Sequence, residues 1–204
     1  MYTYRTVGNQ PSAEFKDRGS KFIAYAYPIR HADDVKPLLQ LLKKEHNKAV
    51  HHCYAYRLGT DKLQFRANDD GEPAGSAGKP ILGQIDSAGL TNILVVVARY
   101  FGGTLLGIPG LINAYKTATN EALRQAKIVE KNIEILATLS YDYSLMNEVM
   151  QALKKFEATI HHQEMSLFCR VSIGIPLAQQ ASCMKTLTDI RGLEIKTTDA
   201  ASHK

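Results

Sequence analysis

An almost unbroken apolar run, ILVVVARYF, occupies residues 93–101 of this chain. A strand with one solvent-exposed face alternates polar and apolar residues, whereas a continuous apolar run is typical of a strand that is covered on both faces. The glycine-rich segment GGTLLGIPG follows it, and residues 111–126 then show the apolar spacing of a helix. We therefore predict a buried strand that turns through glycines into an amphipathic helix.

Two further strands and one further helix are predicted in the first part of the chain. The segments KFIAYAYPI (21–29) and HHCYAYRL (51–58) are rich in β-branched and aromatic residues, which favours strands. Between them, residues 31–46 carry apolar side chains at the spacing of one helical face. Residues 59–92 consist mainly of turn-forming residues, so no long element is predicted there.

Near residue 128 the pattern changes, and the remainder of the chain predicts a separate small domain. Alternating apolar residues at 133–141 indicate a strand, and an amphipathic helix follows. A hairpin turning at Gln163–Glu164, a helix starting at Pro176 and a last strand complete a ferredoxin-like order of strand, helix, strand, strand, helix, strand. The sequence thus predicts an α+β chain of two domains, residues 1–128 and 132–204.

Positive charge is concentrated in the first of these regions. Residues 1–128 carry 17 Lys and Arg against 11 Asp and Glu, a net charge of +6, whereas residues 129–204 carry 8 against 9, a net charge of −1. A basic domain is consistent with an acidic partner such as RNA, although many basic domains bind no nucleic acid. No DNA sequence specificity is expected from this pattern.

Other features favour a cytoplasmic location. No apolar run approaches the roughly 20 residues that span a bilayer, so no membrane association is expected. The first ten residues lack the basic and apolar regions of a signal peptide. The three cysteines, Cys53, Cys169 and Cys183, are odd in number and widely spaced, which favours free thiols in a reducing compartment.

The segment NDDGEPAGSAGKP, residues 68–80, concentrates carboxylates, glycines and a lysine in a stretch with almost no apolar residues. It departs from a phosphate-binding loop, because Pro73 replaces the first glycine, Pro80 replaces the hydroxyl residue, and the preceding FRANDDG is a poor strand. It departs from a calcium loop, because Lys79 occupies the position of the bidentate glutamate. A solvated turn and a bare backbone that another molecule approaches closely both remain open.

A second candidate segment is RYFGGTLLGIPG, residues 99–110. The backbone N–H groups of a glycine-rich turn before a helix suit an anion, and a tight turn that merely needs glycine is the alternative. Arg99 ends a buried strand and needs a partner, because an unpaired buried charge is very costly. We predict that its guanidinium contacts a carboxylate of residues 68–72 or a bound anion.

From these two segments and the HHC motif we assign one set of candidate binding residues: Asp69, Asp70, Glu72, Lys79, Arg99, Tyr100, Gly102, Gly103 and His52. His51 and Cys53 share one face of a strand, but no Cys or His at ligand spacing completes a zinc site, so no metal is predicted. No catalytic residue and no cofactor is assigned.

Three segments in this order, HHCYAYR, DDGEPAGSAGKPIL and ARYFGGTLLGIPGLINAY, resemble the IMPACT/YigZ family across roughly residues 15–125. The remainder resembles the ferredoxin-like domain of the bacterial YigZ branch. The sequence departs from many relatives at Ile108-Pro109, where they carry a smaller pair. The resemblance implies a first domain similar to the second domain of ribosomal protein S5, a two-layer α/β sandwich, followed by a domain like domain V of elongation factor G.

The resemblance also implies a function linked to translation, since eukaryotic relatives act in the control of translation initiation through protein–protein contacts. We expect a non-enzymatic cytosolic regulator that binds RNA or the ribosome through its basic first domain. A protein-interaction module acting on a translation or stress-response protein is the first alternative. The second alternative is a hydrolase or other small-molecule enzyme that uses Asp69, Asp70 and Glu72.

Overall fold

The computed structural model describes residues 2–198 of the chain. Its contacts divide these residues into two compact units, one formed by Tyr4–Lys131 and the other by residues 2–3 with 132–198. The units have separate apolar cores, and they confirm the predicted α+β class with two domains. None of the described helices is long and apolar enough to cross a membrane. Independent folding of residues 1–128 and 132–204 stays a prediction.

The first unit is built around a five-stranded antiparallel sheet. In chain order its elements are β1 (Thr3–Val7), β2 (Ser12–Asp17), β3 (Ser20–Pro28), α1 (Val35–Glu45), β4 (His51–Leu58), β5 (Gln64–Asn68), α2 (Gly78–Ser87), β6 (Ile93–Tyr100), α3 (Gly107–Arg124) and β7 (Ile128–Asn132). The strand order is β2-β3-β6-β4-β5, so β6 is the central strand and β5 lies at an edge, while β1 pairs with β7.

Both faces of the central strand are covered, as the continuous apolar run predicts. Ile93, Val95 and Val97 belong to the core beneath α2 and α3, whereas Leu94 and Val96 pack with α1 on the other face. The resemblance implies two layers, and the structure differs because α1 adds a third. Covering the second face removes from water a second row of apolar side chains, which stabilises the fold.

Five elements, β1, β2, β5, β7 and α2, lie in segments where no element is predicted. Strand β5 is exposed along nearly its whole length, so its sequence shows no alternation between polar and apolar residues. Helix α2 begins at Gly78 without a side-chain hydrogen bond from its own N-cap residue, Ala77. Its start is instead fixed by a carboxylate nine residues earlier, at Asp69, which a local capping rule does not detect.

The second unit has the predicted ferredoxin-like arrangement. Its elements are β8 (Glu134–Asp142), α4 (Met146–Lys155), β9 (Thr159–Glu164), β10 (Phe168–Pro176), α5 (Gln180–Thr188) and β11 (Glu194–Thr198). They form an antiparallel sheet of order β11-β8-β10-β9. The hairpin turns after Glu164 rather than at Gln163–Glu164. Pro176 ends β10 and also caps the short 3-10 turn, Leu177–Gln179, that leads directly into α5. The three cysteines are buried free thiols, as predicted.

Candidate functional site

The segment 69–77, which links β5 to α2, is held in place by its first side chain. The Asp69 carboxylate accepts hydrogen bonds from the backbone N–H groups of Gly75 (2.8 Å), Ala77 (3.1 Å) and Gly78 (2.8 Å). These donors include N–H groups at the start of α2, where the helix dipole also favours a negative charge. Asp69 thus occupies the position that a phosphate takes in a phosphate-binding loop.

The strand–loop–helix context of a phosphate-binding loop is therefore present, which corrects one sequence-based expectation. The segment FRANDDG contains most of β5, so its description as a poor strand is wrong. The other two departures, Pro73 and Pro80, still stand. Because Asp69 already uses the N–H groups at the start of α2, these groups are not free to bind a phosphate.

Burial alone would raise the pKa of the Asp69 carboxyl, but the N–H donors of Gly75, Gly78 and Ala77 outweigh burial and hold that pKa below its usual value. The carboxylate therefore stabilises the folded state fully above the pKa of an unfolded aspartate, about 3.9. This stabilisation is lost as the pH falls through the lower folded pKa.

We expect Asp69→Asn to lower the free energy of unfolding at neutral pH by about 1–2 kcal/mol, because one amide cannot accept from all three donors. The same change should flatten the decline in stability between ~pH 5 and ~pH 2, since the titrating group is gone. Urea denaturation at a series of pH values measures both effects. Parallel pH profiles for the native chain and the variant would contradict this role for Asp69.

Asp70 fixes the loop to strand β4. Its carboxylate accepts a hydrogen bond from the backbone N–H of His52 at 2.7 Å, and its carbonyl oxygen lies 2.7 Å from His51 Nδ1. Because a carbonyl only accepts, His51 Nδ1 carries the hydrogen, and Nε2 faces a Glu72 carboxylate oxygen at 4.0 Å. The positive φ angles of Asp70 (43°) and Gly71 (91°) reverse the chain at this point.

Glu72 lies at the centre of a buried polar group, called here the Glu72 cluster: Glu72, Arg99, Tyr115, Cys53 and His51. One Glu72 oxygen accepts hydrogen bonds from Arg99 Nη1 at 2.6 Å and from the Tyr115 hydroxyl at 2.7 Å. The Cys53 thiol lies 3.2 Å from the Tyr115 hydroxyl oxygen. The Glu72 and Arg99 side chains are only 3% and 7% exposed. The predicted contact between Arg99 and a carboxylate of residues 68–72 is therefore confirmed.

The chemistry of the Glu72 cluster suits a structural role. Burial raises the pKa of the Cys53 thiol and of the Tyr115 hydroxyl, so both groups stay protonated at neutral pH. A protonated thiol is a poor nucleophile. The Glu72 charge is matched by Arg99, and the pair ties the loop 69–77 to β6 while Tyr115 ties it to α3.

Three other candidate residues do not join this cluster. Tyr100 lies on the α1 face of the sheet, where its hydroxyl is 2.8 Å from His46 Nδ1. His52 lies on the same face, and its burial lowers the pKa of the imidazole. Lys79 is the second residue of α2 and is exposed. Of the candidate residues in the two segments 68–80 and 99–107, Arg99 is the one whose side chain joins them, through its bond to Glu72.

Packing explains the first glycine of the GG turn. The Gly102 N–H donates to Ser20 Oγ at 3.2 Å, so this group already has a partner within the chain. A Cβ on Gly102 would lie 1.9 Å from the carbonyl carbon of Gly19, which only glycine avoids. Gly103 adopts a φ of 85°, a conformation that glycine favours. Binding roles for the nine candidate residues stay predictions.

A separate candidate site lies on the α1 side of the sheet. It is an open groove of about 480 Å³ between α1 and strands β4 and β5, called here the α1 groove. Its lining side chains include Lys36, Lys43, Tyr54, Tyr56 and Arg66. This groove could not be predicted from the sequence, because β5, which forms part of its floor, shows no strand pattern. The available signal was the spacing of the two lysines, which lie seven residues apart in a predicted helix.

The comparisons with known proteins agree on one family. Residues 18–123 match the family model of the Impact N-terminal domain. An IMPACT family member of Haemophilus influenzae is 38% identical over 161 residues, which are 76% of this chain and 77% of that protein. This chain belongs to the IMPACT family. The IMPACT family member YigZ of Escherichia coli is 35% identical over 175 residues, which are 83% of this chain and 84% of that protein.

A solved structure has the same fold over nearly the whole chain. A crystal structure of a hypothetical protein has a TM-score of 0.76 with this chain at 30% identity, and the match covers 98% of this chain and 99% of the other. The Impact N-terminal match falls inside the first unit. It therefore contains both the Glu72 cluster and the α1 groove of this IMPACT-family chain.

Proposed function

We propose that this IMPACT-family chain is a cytosolic, non-enzymatic regulator linked to translation, and that it binds RNA or the ribosome through its first unit. The observation that carries this proposal is the distribution of charge, since residues 1–128 have a net charge of +6 and the rest of the chain has −1. Phosphate contacts with Lys and Arg supply most of the sequence-independent affinity for nucleic acids. The link to translation comes from the role of the eukaryotic family members.

The contacts of the loop carboxylates support a non-enzymatic role. A general acid or base has to come within hydrogen-bonding reach of a reacting group. Asp69 is occupied by three backbone N–H groups, and Asp70 accepts from the backbone of His52. Glu72 is buried and paired with Arg99. The carboxylates that the enzyme alternative requires are thus engaged in holding the loop.

An apolar surface of the first unit favours the protein-interaction alternative. Phe101, Leu105 and Ile108 lie within eight residues of one another and are 49%, 81% and 53% exposed. Clustered apolar side chains at a surface mark protein–protein contacts more often than isolated ones do. If RNA and ribosomes are not bound, this surface is the place where a protein partner is to be sought.

Cosedimentation of the full chain with ribosomes across a salt series tests the proposal. We expect the native chain to pellet with ribosomes at low salt and to be released as salt rises, since phosphate contacts are lost to counterions. Lys43→Glu with Lys44→Glu, in the last turn of α1, should shift release to lower salt. Lys154→Glu with Lys155→Glu is the matched control, because these lysines occupy the last turn of α4 in the second unit.

The two double variants carry the same change of charge at equivalent helix positions, so their costs in helix stability are similar. Thermal melting of both variants shows whether folding is preserved. Absence of cosedimentation at low salt, or an equal loss in the two variants, would overturn binding through the first unit.

A further inference from the structure

We propose that the α1 groove binds unpaired nucleotides of RNA, with a base against its tyrosine floor and phosphates against its cations. This inference rests on the proposed RNA binding and assigns that binding to one place on the first unit. The volume of the groove, about 480 Å³, lies within the range of roughly 300 to 1,000 Å³ typical of small-ligand sites. It therefore suits individual nucleotides better than a broad protein surface.

One wall of the groove is a single face of α1. The residues that line it from this helix include Lys36, Leu39, Gln40 and Lys43. Positions i, i+3, i+4 and i+7 share one side of a helix, so these side chains stand in one row. The two lysines are about 10 Å apart along the helix axis. They can therefore meet two different phosphates of one strand.

The floor of the groove is formed by β4 and β5. Tyr54 and Tyr56 alternate along β4 with core residues that pack beneath α2 and α3, so both tyrosines face α1. Tyr56 pairs in register with Arg66 of β5. Cross-strand partners have neighbouring Cβ atoms on one face of a sheet, so the Arg66 side chain starts beside that of Tyr56 on the α1 face. An aromatic ring beside a cation is the usual platform for an unpaired base and its phosphate.

The groove carries a surplus of positive charge. Lys36, Lys43 and Arg66 are exposed, and the lining side chains add one carboxylate, Asp33. Lys43 Nζ lies 3.8 Å from an oxygen of Asp70, a weak and exposed pair. Lys36 and Arg66 take part in none of the ion pairs found among residues 2–198. These cations are thus available to neutralise phosphates.

The combination of an aromatic floor and a cationic wall favours an unpaired nucleotide over a duplex or an acidic peptide. A base stacks on tyrosine only if its π face is free, and in a duplex that face is covered by the neighbouring bases. An acidic peptide meets the cations equally well but gains no comparable stacking from Tyr56. We therefore expect single strands to bind better than duplexes of the same length.

Fluorescence anisotropy of a labelled oligouridine titrated with the full chain at low salt tests this inference. Arg66→Ala should weaken binding severalfold and reduce the slope of log affinity against log salt by about 0.7, the value of one phosphate contact on a single strand. Tyr56→Leu should weaken binding about fivefold or more, since it removes the stacking ring but keeps an apolar side chain. Tyr56→Phe should retain the native affinity.

Lys116→Ala is the matched control for Arg66→Ala. Lys116 is an exposed cation of α3, which packs on the other face of the sheet, so its removal changes the net charge equally but leaves the groove intact. The affinity of Lys116→Ala for oligouridine should stay within about twofold of the native value. Thermal melting should show that both variants are folded. If Tyr56→Leu does not fold, the affinities of Arg66→Ala and Lys116→Ala alone test the proposed site.

The results of these experiments distinguish failure of the proposed nucleotide site in the α1 groove from failure of the proposed function. Equal affinities of Arg66→Ala and Lys116→Ala for oligouridine would overturn the proposed nucleotide site but not RNA binding by the chain. Competition by duplex RNA as strong as that by single-stranded RNA would have the same consequence. Binding to ribosomes without binding to oligouridine would also overturn the groove alone. If the full chain binds neither oligouridine nor ribosomes at low salt, the groove and the proposed function both fail.

Discussion

Replacing Arg99 with leucine should lower the free energy of unfolding of the first unit by about 3–5 kcal/mol, because the change leaves the Glu72 carboxylate buried without its ion-pair partner. The Arg99 and Glu72 side chains are almost fully buried, and their atoms lie 2.6 Å apart. The measurement is urea denaturation of the full chain, followed by NMR signals of β4, β6 and α3. The double variant Glu72→Gln with Arg99→Leu should lose less free energy of unfolding than the sum of the losses in the two single variants, since no unpaired charge is then buried.

Arg124→Leu is the matched control for this experiment. Arg124 also pairs with a carboxylate, Glu121 at 3.4 Å, but both side chains are largely exposed. Such pairs contribute little, so its removal should change the free energy of unfolding by no more than about 0.5 kcal/mol. A loss for Arg99→Leu as small as that of the control would contradict the role of the Glu72 cluster in holding the loop.

Two glycines of α2 should respond to alanine with opposite signs. A Cβ on Gly78 would lie 2.5 Å from the backbone nitrogen of Asn68 and 3.0 Å from the carbonyl carbon of Ala67. These backbone atoms of β5 cannot move aside as a flexible side chain can, so we expect Gly78→Ala to cost about 2–3 kcal/mol. A Cβ on Gly83 would meet no atom within 4 Å, and Gly83→Ala should stabilise by roughly 0.5–1 kcal/mol.

Urea denaturation of the two alanine variants checks this prediction, since the substitutions are identical in chemistry and lie in one helix. Gly78→Ala should also speed hydrogen exchange of the backbone N–H groups that Asp69 binds. Equal effects of the two changes on the free energy of unfolding would show that close packing of α2 against β5 is not what requires Gly78.

The part of the fold that follows from burial could be predicted from the sequence. The continuous apolar run at 93–101 requires cover on both faces, and the structure supplies it with α1 on one side and α2 with α3 on the other. The two-layer sandwich implied by the family resemblance lacks that third layer. The continuous apolar run therefore predicted that the second face of the sheet is covered, whereas the family resemblance did not.

The missed elements depend on contacts that are distant in sequence. Strand β5 is largely exposed, and its one neighbour in the sheet is β4, so its own residues give no periodic signal. Helix α2 is capped by Asp69 from the end of β5. Because the α1 groove needs β5 as part of its floor, missing this strand also concealed the groove.

Part of the candidate site was visible in the sequence and part was not. The need of Arg99 for a partner follows from the cost of an unpaired buried charge, and the partner proved to be Glu72. Tyr115 lies within the amphipathic helix predicted at residues 111–126, but its hydroxyl bond to Glu72 was not predicted. A buried tyrosine usually finds a hydrogen-bond partner, so that hydroxyl was the available signal.

The proposed function requires that the surplus positive charge of the first unit binds RNA. The most direct measurement is the affinity of the full chain for single-stranded RNA across a salt series. We expect log affinity to fall linearly with log salt with a slope of roughly −2 to −4, since each phosphate contact contributes about 0.7 and only a few can form at once. An affinity that does not change with salt, or no binding at low salt, would contradict it.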